Sequence, residues 1–376
     1  MSDFCIIGAG INGLLLAREL AQAGASVDLL DKGEIGAEAS WAGGGIVSPL
    51  YPWRYSEAVT ELANWAQVFY PRLAEDLFRE TDIDVEFNRC GLLMLDADDA
   101  PQALMWAKQY QRVMAQWSSP DIYRVAPQLR QGFKHGLWME EIANVRNPRL
   151  LKALRRSLDA APNVTIRQQT EVVRLIRKGS RIAAVEVSSK CGADDAPVVS
   201  GTVVVTAGAW TAKLLGKIQQ TLPVTPVKGQ MLLYKFPAPP VQSIVLHNGR
   251  YLIPRLDGHL LVGSTLEHVG FDKTITSAAR ESLYESAICI LPELEGKTPV
   301  AQWAGLRPGS PEGVPLIGRM ESTENLYVSA GHYRNGLVLA PASTRLLADL
   351  LLGRDPVLNP ELYSPAVRIA ASRAML

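Results

Sequence analysis

The 376-residue sequence predicts a mixed α/β fold with two interleaved domains. The first observation is a glycine-rich turn between a short apolar strand and a helix, within residues 4–22. Two further strands run into glycine-containing turns at 202–210 and 326–336. Between them, alternating apolar and polar residues over 222–270 are typical of an antiparallel sheet. Because this sheet interrupts the part of the chain that carries the glycine turns, both domains are predicted to be discontinuous.

Composition and charge exclude several classes of function. Lys plus Arg and Asp plus Glu both number 38, so no basic field attracts a nucleic acid or an anionic lipid surface. The four cysteines form no CxxC pair, which argues against a zinc site, so we expect no bound metal: Cys5, Cys90, Cys191 and Cys289. No apolar segment reaches the roughly 20 residues of a membrane-spanning helix. With no basic leader at the amino terminus, we expect a cytoplasmic protein without a membrane span.

The first glycine-rich turn has the spacing of a dinucleotide-binding fingerprint. Phe4–Ile7 predict a buried strand and 14–21 a helix, with Gly-Ala-Gly-Ile-Asn-Gly between them. In this motif Gly8 permits the tight turn, and Gly10 lets the backbone approach a pyrophosphate. Gly13 allows the helix to pack closely on the strand. Unpaired N–H groups at the start of the helix then bind phosphate oxygens.

An acidic residue completes this fingerprint. Val27–Leu30 predict a second strand, and Asp31 follows it, eighteen residues after Gly13. A carboxylate at this point accepts a hydrogen bond from a ribose hydroxyl. Strand, helix, strand and acid occur in the required order, which favours a dinucleotide site over a structural glycine turn.

Two later regions indicate further contacts with a ligand. Gly36–Ile46 contains the run Gly43–Gly45, which suits a backbone lying flat against a ligand; the alternative is a flexible surface loop. Leu326–Ala330 predict a strand that leads through Gly331–Gly336 into a helix from about 341 to 352. The positive end of that helix would then point at the ligand.

The remaining elements are predicted from periodicity. Helical spacing occurs at 61–80 and 101–117, and 147–158 predicts a helix that opens on Asn-Pro. Strands are expected at Gln230–Tyr234, Tyr251–Ile253 and Leu260–Gly263, the last after an Asp-Gly turn. A mobile loop is expected at 192–197.

Together these segments resemble the D-amino-acid oxidase group of FAD-dependent oxidoreductases, and within it the glycine oxidases associated with thiazole (thiamine) biosynthesis. The matching segments span nearly the whole chain in the family's order: Gly8–Gly13 with Asp31, Ser40–Ile46, Val204–Trp210, Trp303–Gly309 and Gly331–Ala340. The resemblance implies non-covalent FAD, a doubly wound FAD-binding domain, and a substrate domain on an antiparallel sheet. The expected FAD-binding domain comprises 1–84, 145–221 and 302–376, and the expected substrate domain 85–144 and 222–301.

The resemblance also implies a set of cofactor-binding residues from six parts of the chain. They are Gly8, Gly10, Ile11, Asn12, Gly13, Asp31, Lys32, Ala39, Ser40, Gly44, Gly45, Ile46, Val172, Ala207, Gly208, Trp210, His332, Tyr333, Arg334, Asn335, Gly336, Leu337 and Val338.

Hydride transfer from an amino acid to a flavin needs little acid–base machinery, so we expect no catalytic residue beyond the flavin. The protein must fix the substrate carboxylate, and a guanidinium fork does so with two charged hydrogen bonds. Arg307 lies in an apolar setting between two glycines, and the resemblance gives it this role rather than a structural salt bridge. It places the Tyr251 hydroxyl and Arg334 at the same substrate; the alternatives are a packed strand aromatic and a loop-bracing arginine. His332 is expected to brace the backbone rather than act as a base.

The reaction implied by the resemblance is oxidation of glycine to an imine, then a 2-oxo acid and ammonia, with O2 reduced to H2O2. Two departures from the family's pattern, the glycine-rich run Trp41–Gly45 and Leu266, leave sarcosine and small D-amino acids open as substrates. A dehydrogenase of the same fold that passes electrons to a quinone is the alternative function. An oxidase of N-methylated amines is less favoured, because Cys289 precedes the Arg307 segment and does not match the cysteine that holds covalent flavin in some of them. We expect a homo-oligomer.

Overall fold

The computed structural model describes residues 1–189 and 195–374. The helices are α1 (Ile11–Gln22), α2 (Ala39–Ala42), α3 (Glu57–Thr81), α4 (Ala100–Gln109), α5 (Ser119–Val125), α6 (Asn147–Asp159), α7 (Thr211–Gly216), α8 (Ser277–Ile290), α9 (Gly336–Leu352) and α10 (Pro365–Ala374). The strands are β1 (Ser2–Ile7), β2 (Val27–Leu30), β3 (Asn88–Arg89), β4 (Leu92–Leu95), β5 (Ala115–Ser118), β6 (His135–Met139), β7 (Ala143–Asn144), β8 (Val164–Arg167), β9 (Thr170–Lys178), β10 (Arg181–Ser189), β11 (Ser200–Val205), β12 (Thr225–Lys235), β13 (Ile244–His247), β14 (Arg250–Pro254), β15 (His259–Gly263), β16 (Ala301–Gly309), β17 (Leu316–Arg319) and β18 (Leu326–Ala330). Cys191 and much of the mobile loop expected at 192–197 lie outside the described residues.

The first sheet has the order β17-β18-β11-β1-β2-β8 and is parallel except for β17. Its inner strands are apolar on both faces, as expected for strands buried from both sides. Ile6 and Val204 belong to a core with α1, α3, α6 and α9, whereas Ile7 and Val205 face the hairpin β9–β10 and α7. The predicted parallel sheet is therefore confirmed, with a hairpin covering much of its second face.

The second sheet has the order β16-β12-β15-β14-β13-β4-β6-β5 and is antiparallel except for the pair β13–β4. The strands predicted within 225–263 all belong to it, which confirms the antiparallel sheet. The boundary predicted at 302 falls inside β16, whose hydrogen bonds go to β12 in this sheet. The domain boundaries themselves stay a prediction.

The helix predicted over 101–117 is wrong in its second half. Helix α4 ends at Gln109, and Gln111 has a left-handed backbone with φ of 52°. Residues 115–118 form the edge strand β5, paired with β6. There the Trp117 ring stacks on Trp138 at 4.7 Å, a cross-strand contact between residues distant in sequence. Such a contact overrides the local helical spacing.

Helix α9 begins at Gly336, five residues before the predicted start at Pro341. A proline inside a helix lacks the N–H that would bond the carbonyl four residues earlier, here that of Leu337. The buried Tyr70 hydroxyl of α3 donates a hydrogen bond to that Leu337 oxygen at 2.6 Å. A side chain from another helix thus replaces the missing donor, and the helix continues through the proline.

Replacing Tyr70 with phenylalanine is expected to destabilise the folded protein by about 1–3 kcal/mol. The change keeps the ring and removes the hydroxyl that donates to the Leu337 carbonyl in place of the proline N–H. Urea unfolding of the cofactor-loaded protein measures the effect as a lower midpoint at unchanged slope. An unchanged midpoint would show that water replaces the tyrosine hydroxyl at no cost.

Within the described residues, no helix combines the length and apolar character required to cross a membrane.

Candidate cofactor and substrate site

A long cavity is lined by residues of both sheets. Its wall includes the residues that directly follow β1, β2 and β11, and the second residue after β18, so it lies at the carboxyl ends of these strands. Open α/β sheets bind ligands at this edge. The second sheet contributes Tyr251, Ser264 and Arg307 to the opposite part of the wall.

The turn after β1 has the geometry that its glycines predict. Gly8 has φ of +108°, a conformation that side chains other than glycine rarely adopt. A Cβ on Gly13 would lie 1.9 Å from the Gly8 carbonyl oxygen, so Gly13 serves the packing of α1 on β1. Gly10 faces the cavity, and Ser40 Oγ accepts a hydrogen bond of 2.9 Å from the Ile11 N–H. The start of α1 is therefore open to a ligand beside a hydroxyl from α2.

The Asp31 carboxylate holds the same turn in place. It accepts a hydrogen bond of 2.7 Å from the Ala9 N–H and one of 2.8 Å from the Gly33 N–H. Burial raises the pKa of Asp31, against these two hydrogen bonds. Each carboxylate oxygen accepts one of these bonds and can accept a second, so the expected ribose contact is compatible with them.

The glycine run Gly43–Gly45 follows the short helix α2, which the sequence had not predicted. A Cβ on Gly44 would lie 2.6 Å from Ile253 Cδ1, and one on Gly45 would lie 2.1 Å from the Val145 oxygen. The buried Arg255 guanidinium donates to the Gly44 and Val145 carbonyls at 2.9 and 2.8 Å. The run is thus held against the second sheet, and the alternative of a flexible surface loop is excluded.

Several residues that line this cavity carry polar atoms without hydrogen-bond partners. Four buried ones have no hydrogen-bond partner among the described residues: Asn12 Oδ1, Asn147 Oδ1, His332 Nε2 and Asn335 Nδ2. A buried polar atom left unpaired costs about 1–3 kcal/mol, so these atoms indicate a ligand that carries donors and acceptors. FAD fits such a site. The start of α1 can bind a pyrophosphate, the Asp31 carboxylate can bind a ribose, and the backbone of Gly43–Gly45 can lie against the cofactor.

Arg307 lies on β16 at the substrate end of the cavity. Its guanidinium donates to Ser264 Oγ at 2.7 Å and to the Thr265 carbonyl at 3.2 Å. Among the described residues it forms no ion pair with a carboxylate, so the alternative of a structural salt bridge is not observed. Burial lowers the pKa of Arg307, and nearby Arg334 lowers it further. Arg307 is partly buried, and a partly buried guanidinium without a counter-ion is a receptor for an anion.

Two glycines make room for the polar groups at this end. A Cβ on Gly229 would lie 2.2 Å from the terminal nitrogens of Arg307. A Cβ on Gly263, directly across β14–β15 from Tyr251, would lie 2.7 Å from the tyrosine hydroxyl. Tyr251 is buried and its hydroxyl lies 3.9 Å from Met231 Sδ, a weak acceptor. Tyr251 also hydrogen-bonds the Arg307 side chain, so the two groups lie close enough to contact the same carboxylate.

Arg334 and His332 occupy the turn before α9. The Arg334 side chain is exposed and lines both this cavity and a polar hollow beside it, next to Tyr51 and Asn248. His332 is fully buried, and burial lowers its pKa to about 4, so the imidazole is neutral at neutral pH. Its Nε2 has no hydrogen-bond partner among the described residues, and the role of His332 in bracing the backbone stays a prediction.

The structure brings nearly all the predicted site residues into one cavity. Of those expected to bind cofactor or substrate, only Gly13 does not line it. Leu266, which had left the choice of substrate open, is 46% exposed and does not line it either. Sequence reasoning missed Ser264, Asn147 and Leu50, because nothing near them in sequence marks strands or turns that reach the cavity. The roles of the individual residues stay a proposal.

Comparison with known proteins decides the family. Residues 3–350 match the family described as FAD dependent oxidoreductase, abbreviated DAO. The chain belongs to this family. A glycine oxidase of Pseudomonas aeruginosa is 52% identical over 97% of this chain and 98% of its own length. This oxidoreductase therefore has FAD as its cofactor, as the resemblance implied.

Solved structures agree with the fold of this DAO-family oxidoreductase. The glycine oxidase of Geobacillus kaustophilus superposes with a TM-score of 0.89 at 27% identity, over 97% of this chain and 98% of the other. An iminodiacetate oxidase of Chelativorans sp. BNC1 superposes with a TM-score of 0.84 at 27% identity, over 96% of this chain and 98% of the other. The parallel sheet and the mostly antiparallel sheet are thus those of the family.

Proposed function

We propose that this oxidoreductase is a glycine oxidase, which converts glycine, O2 and water to glyoxylate, ammonia and H2O2. The observation that carries the proposal is the partly buried Arg307 guanidinium, which forms no ion pair with a carboxylate among the described residues. The 52% identity to the glycine oxidase of Pseudomonas aeruginosa supports the same activity. The substrate's amine and carboxylate supply the polar groups that such a site requires.

The chain's own residues bind and orient the substrate. Arg307 would hold the carboxylate by two parallel hydrogen bonds, and the Tyr251 hydroxyl would donate a third. Arg334, on the turn before α9, would add positive charge at the mouth of the site. Bound FAD supplies the acceptor for a hydride from the substrate Cα and returns the electrons to O2. His332 would be a weak base, because burial lowers its pKa to about 4.

The residues that would hold FAD follow from the cavity wall. The start of α1 at Gly10–Asn12 would bind the pyrophosphate, and Asp31 a ribose hydroxyl. The run Gly43–Gly45 and the start of α9 would contact the ring system, with the positive end of that helix favouring negative charge.

The activity is tested by mixing purified yellow protein with glycine, sarcosine or D-alanine and recording oxygen uptake and peroxide. We expect glycine to give peroxide in amounts equal to the glyoxylate formed. Turnover with a quinone dye and none with oxygen would instead show a dehydrogenase.

FAD is expected to be bound without a covalent link. Within the described residues, no cysteine lines the cavity. Acid precipitation should therefore release the yellow colour into the supernatant. Colour that stays with the precipitated protein would contradict the expectation.

We further propose a homo-oligomer that acts in the cytoplasm. The neutral net charge and the sequence's resemblance to glycine oxidases support this assignment. Light scattering of the loaded protein measures its mass against the 41.0 kDa of one chain, and cell fractionation gives the compartment.

A further inference from the structure

A network of polar side chains lies behind Arg307, outside the cavity. Strand β12 carries Lys228, Gly229 and Gln230 next to β16. Side chains alternate between the faces of a strand, so Lys228 and Gln230 point away from the face on which Gly229 makes room for the guanidinium. Neither Lys228 nor Gln230 lines the cavity.

Lys228 is a buried cation with three partners. Its side chain is 2% exposed, and Nζ lies 3.1 Å from Glu267, 3.5 Å from Asp272 and 3.1 Å from the Thr274 carbonyl. All three partners belong to residues 264–276, here called the 264–276 segment. The three ammonium donors are therefore all directed at one segment.

Gln230 lies two residues after Lys228 on the same face of β12, is fully buried, and holds the same segment. Its Nε2 donates to Glu267 at 2.9 Å and to Thr276 Oγ1 at 3.2 Å, and its Oε1 accepts from the Thr276 N–H at 3.0 Å. The backbones of Lys228 and Glu267 exchange two hydrogen bonds of 2.9 Å. Both ends of the segment are thus tied to β12.

The 264–276 segment contains two groups that accept hydrogen bonds from the Arg307 guanidinium, Ser264 Oγ and the Thr265 carbonyl. Thr265 Oγ1 in turn donates to Glu267 and accepts from the Gln230 N–H at 2.8 Å. Residues 268–276 are all exposed, so little buried apolar surface fixes this segment. Its position depends on the polar contacts with β12.

We propose that Lys228, Gln230 and Glu267 are positioning residues that hold the 264–276 segment so that Ser264 and Thr265 aim Arg307 at the substrate carboxylate. The inference rests on the proposed role of Arg307 in glycine oxidation. Three side chains outside the cavity would thus contribute to the affinity of the site for carboxylates.

The test uses Lys228→Met and Glu267→Gln in the FAD-loaded protein, with acetate as a carboxylate that binds without reacting. We expect the Ki of acetate and the KM of glycine to rise by about 10-fold, equivalent to ~1.4 kcal/mol, and kcat to change less. FAD content should stay that of the wild type. A merely structural role would lower the melting temperature and leave the Ki of acetate unchanged.

Lys235→Met is the matched control, because Lys235 lies on the same strand and donates to the Asp257 carbonyl at the far end. We expect it to keep the acetate Ki of the wild type.

If Lys228→Met fails to fold, the result for Glu267→Gln decides the test, since this change is isosteric and the Glu267 side chain is 26% exposed. Loaded variants with wild-type acetate affinity would overturn the inference. Failure of the proposed function is a separate result: Arg307→Ala would then bind acetate as the wild type does.

Discussion

Arg307→Ala is expected to keep FAD bound and to lower kcat/KM for glycine by at least roughly 10- to 150-fold. A charged hydrogen bond contributes about 1.5–3 kcal/mol, and about 1.4 kcal/mol corresponds to a factor of ten. Poorer alignment of the substrate Cα–H adds to the loss. Arg307→Lys should recover only part of the rate, because an ammonium cannot reproduce the planar fork.

Flavin content, melting temperature and steady-state kinetics on the same preparations distinguish binding from stability. A structural role predicts less stable protein with near-normal kinetics in the fraction that folds. A stable, flavin-loaded Arg307→Ala protein with unchanged kcat/KM would remove Arg307 from the active site.

Gly10→Val is expected to abolish the retention of FAD while the chain still folds. Gly10 has φ of −73°, which valine adopts without strain, and a Cβ there would lie 3.0 Å from Ser40 Oγ. The branched side chain would occupy the path of the pyrophosphate at the start of α1. We expect the affinity for FAD to fall by more than about 10-fold, or ~1.4 kcal/mol.

The ratio of flavin absorbance to protein after purification measures this loss, and circular dichroism reports the fold. Gly216→Val is the control, because a Cβ at Gly216 meets nothing within 4 Å and Gly216 does not line the cavity. A folded, fully yellow Gly10→Val protein would refute the assignment of the fingerprint.

The nucleotide end of the site could be predicted because its chemistry is local. Gly8, Gly10 and Asp31 act on a turn and two strands within the first thirty-one residues, and their spacing alone predicts the geometry. The later glycine run is different: Gly44 is required by Ile253, more than two hundred residues away. The three consecutive glycines indicated that another group lies close to this backbone, but they did not show which group it is.

The substrate end depends on strand register, which the sequence does not display. Arg307 was nominated from chemistry and resemblance, but its partners Ser264 and Thr265 lie across a sheet whose register forms only on folding. The predicted start of α9 was wrong because a contact between two helices decides it. Tyr70 supplies the hydrogen bond that Pro341 cannot, and no local pattern contains that information.

The order of strands in the first sheet has a consequence for synthesis on the ribosome. Strand β1 pairs on one side with β2, twenty-odd residues later, and on the other with β11 at Ser200–Val205. At about 5–20 residues per second, the ribosome needs roughly 10–40 s to reach β11. For that time one edge of β1 has no native neighbour, and such an edge can pair with another chain. Speed of elongation and early capture by a chaperone would therefore govern how much of this protein reaches its folded state.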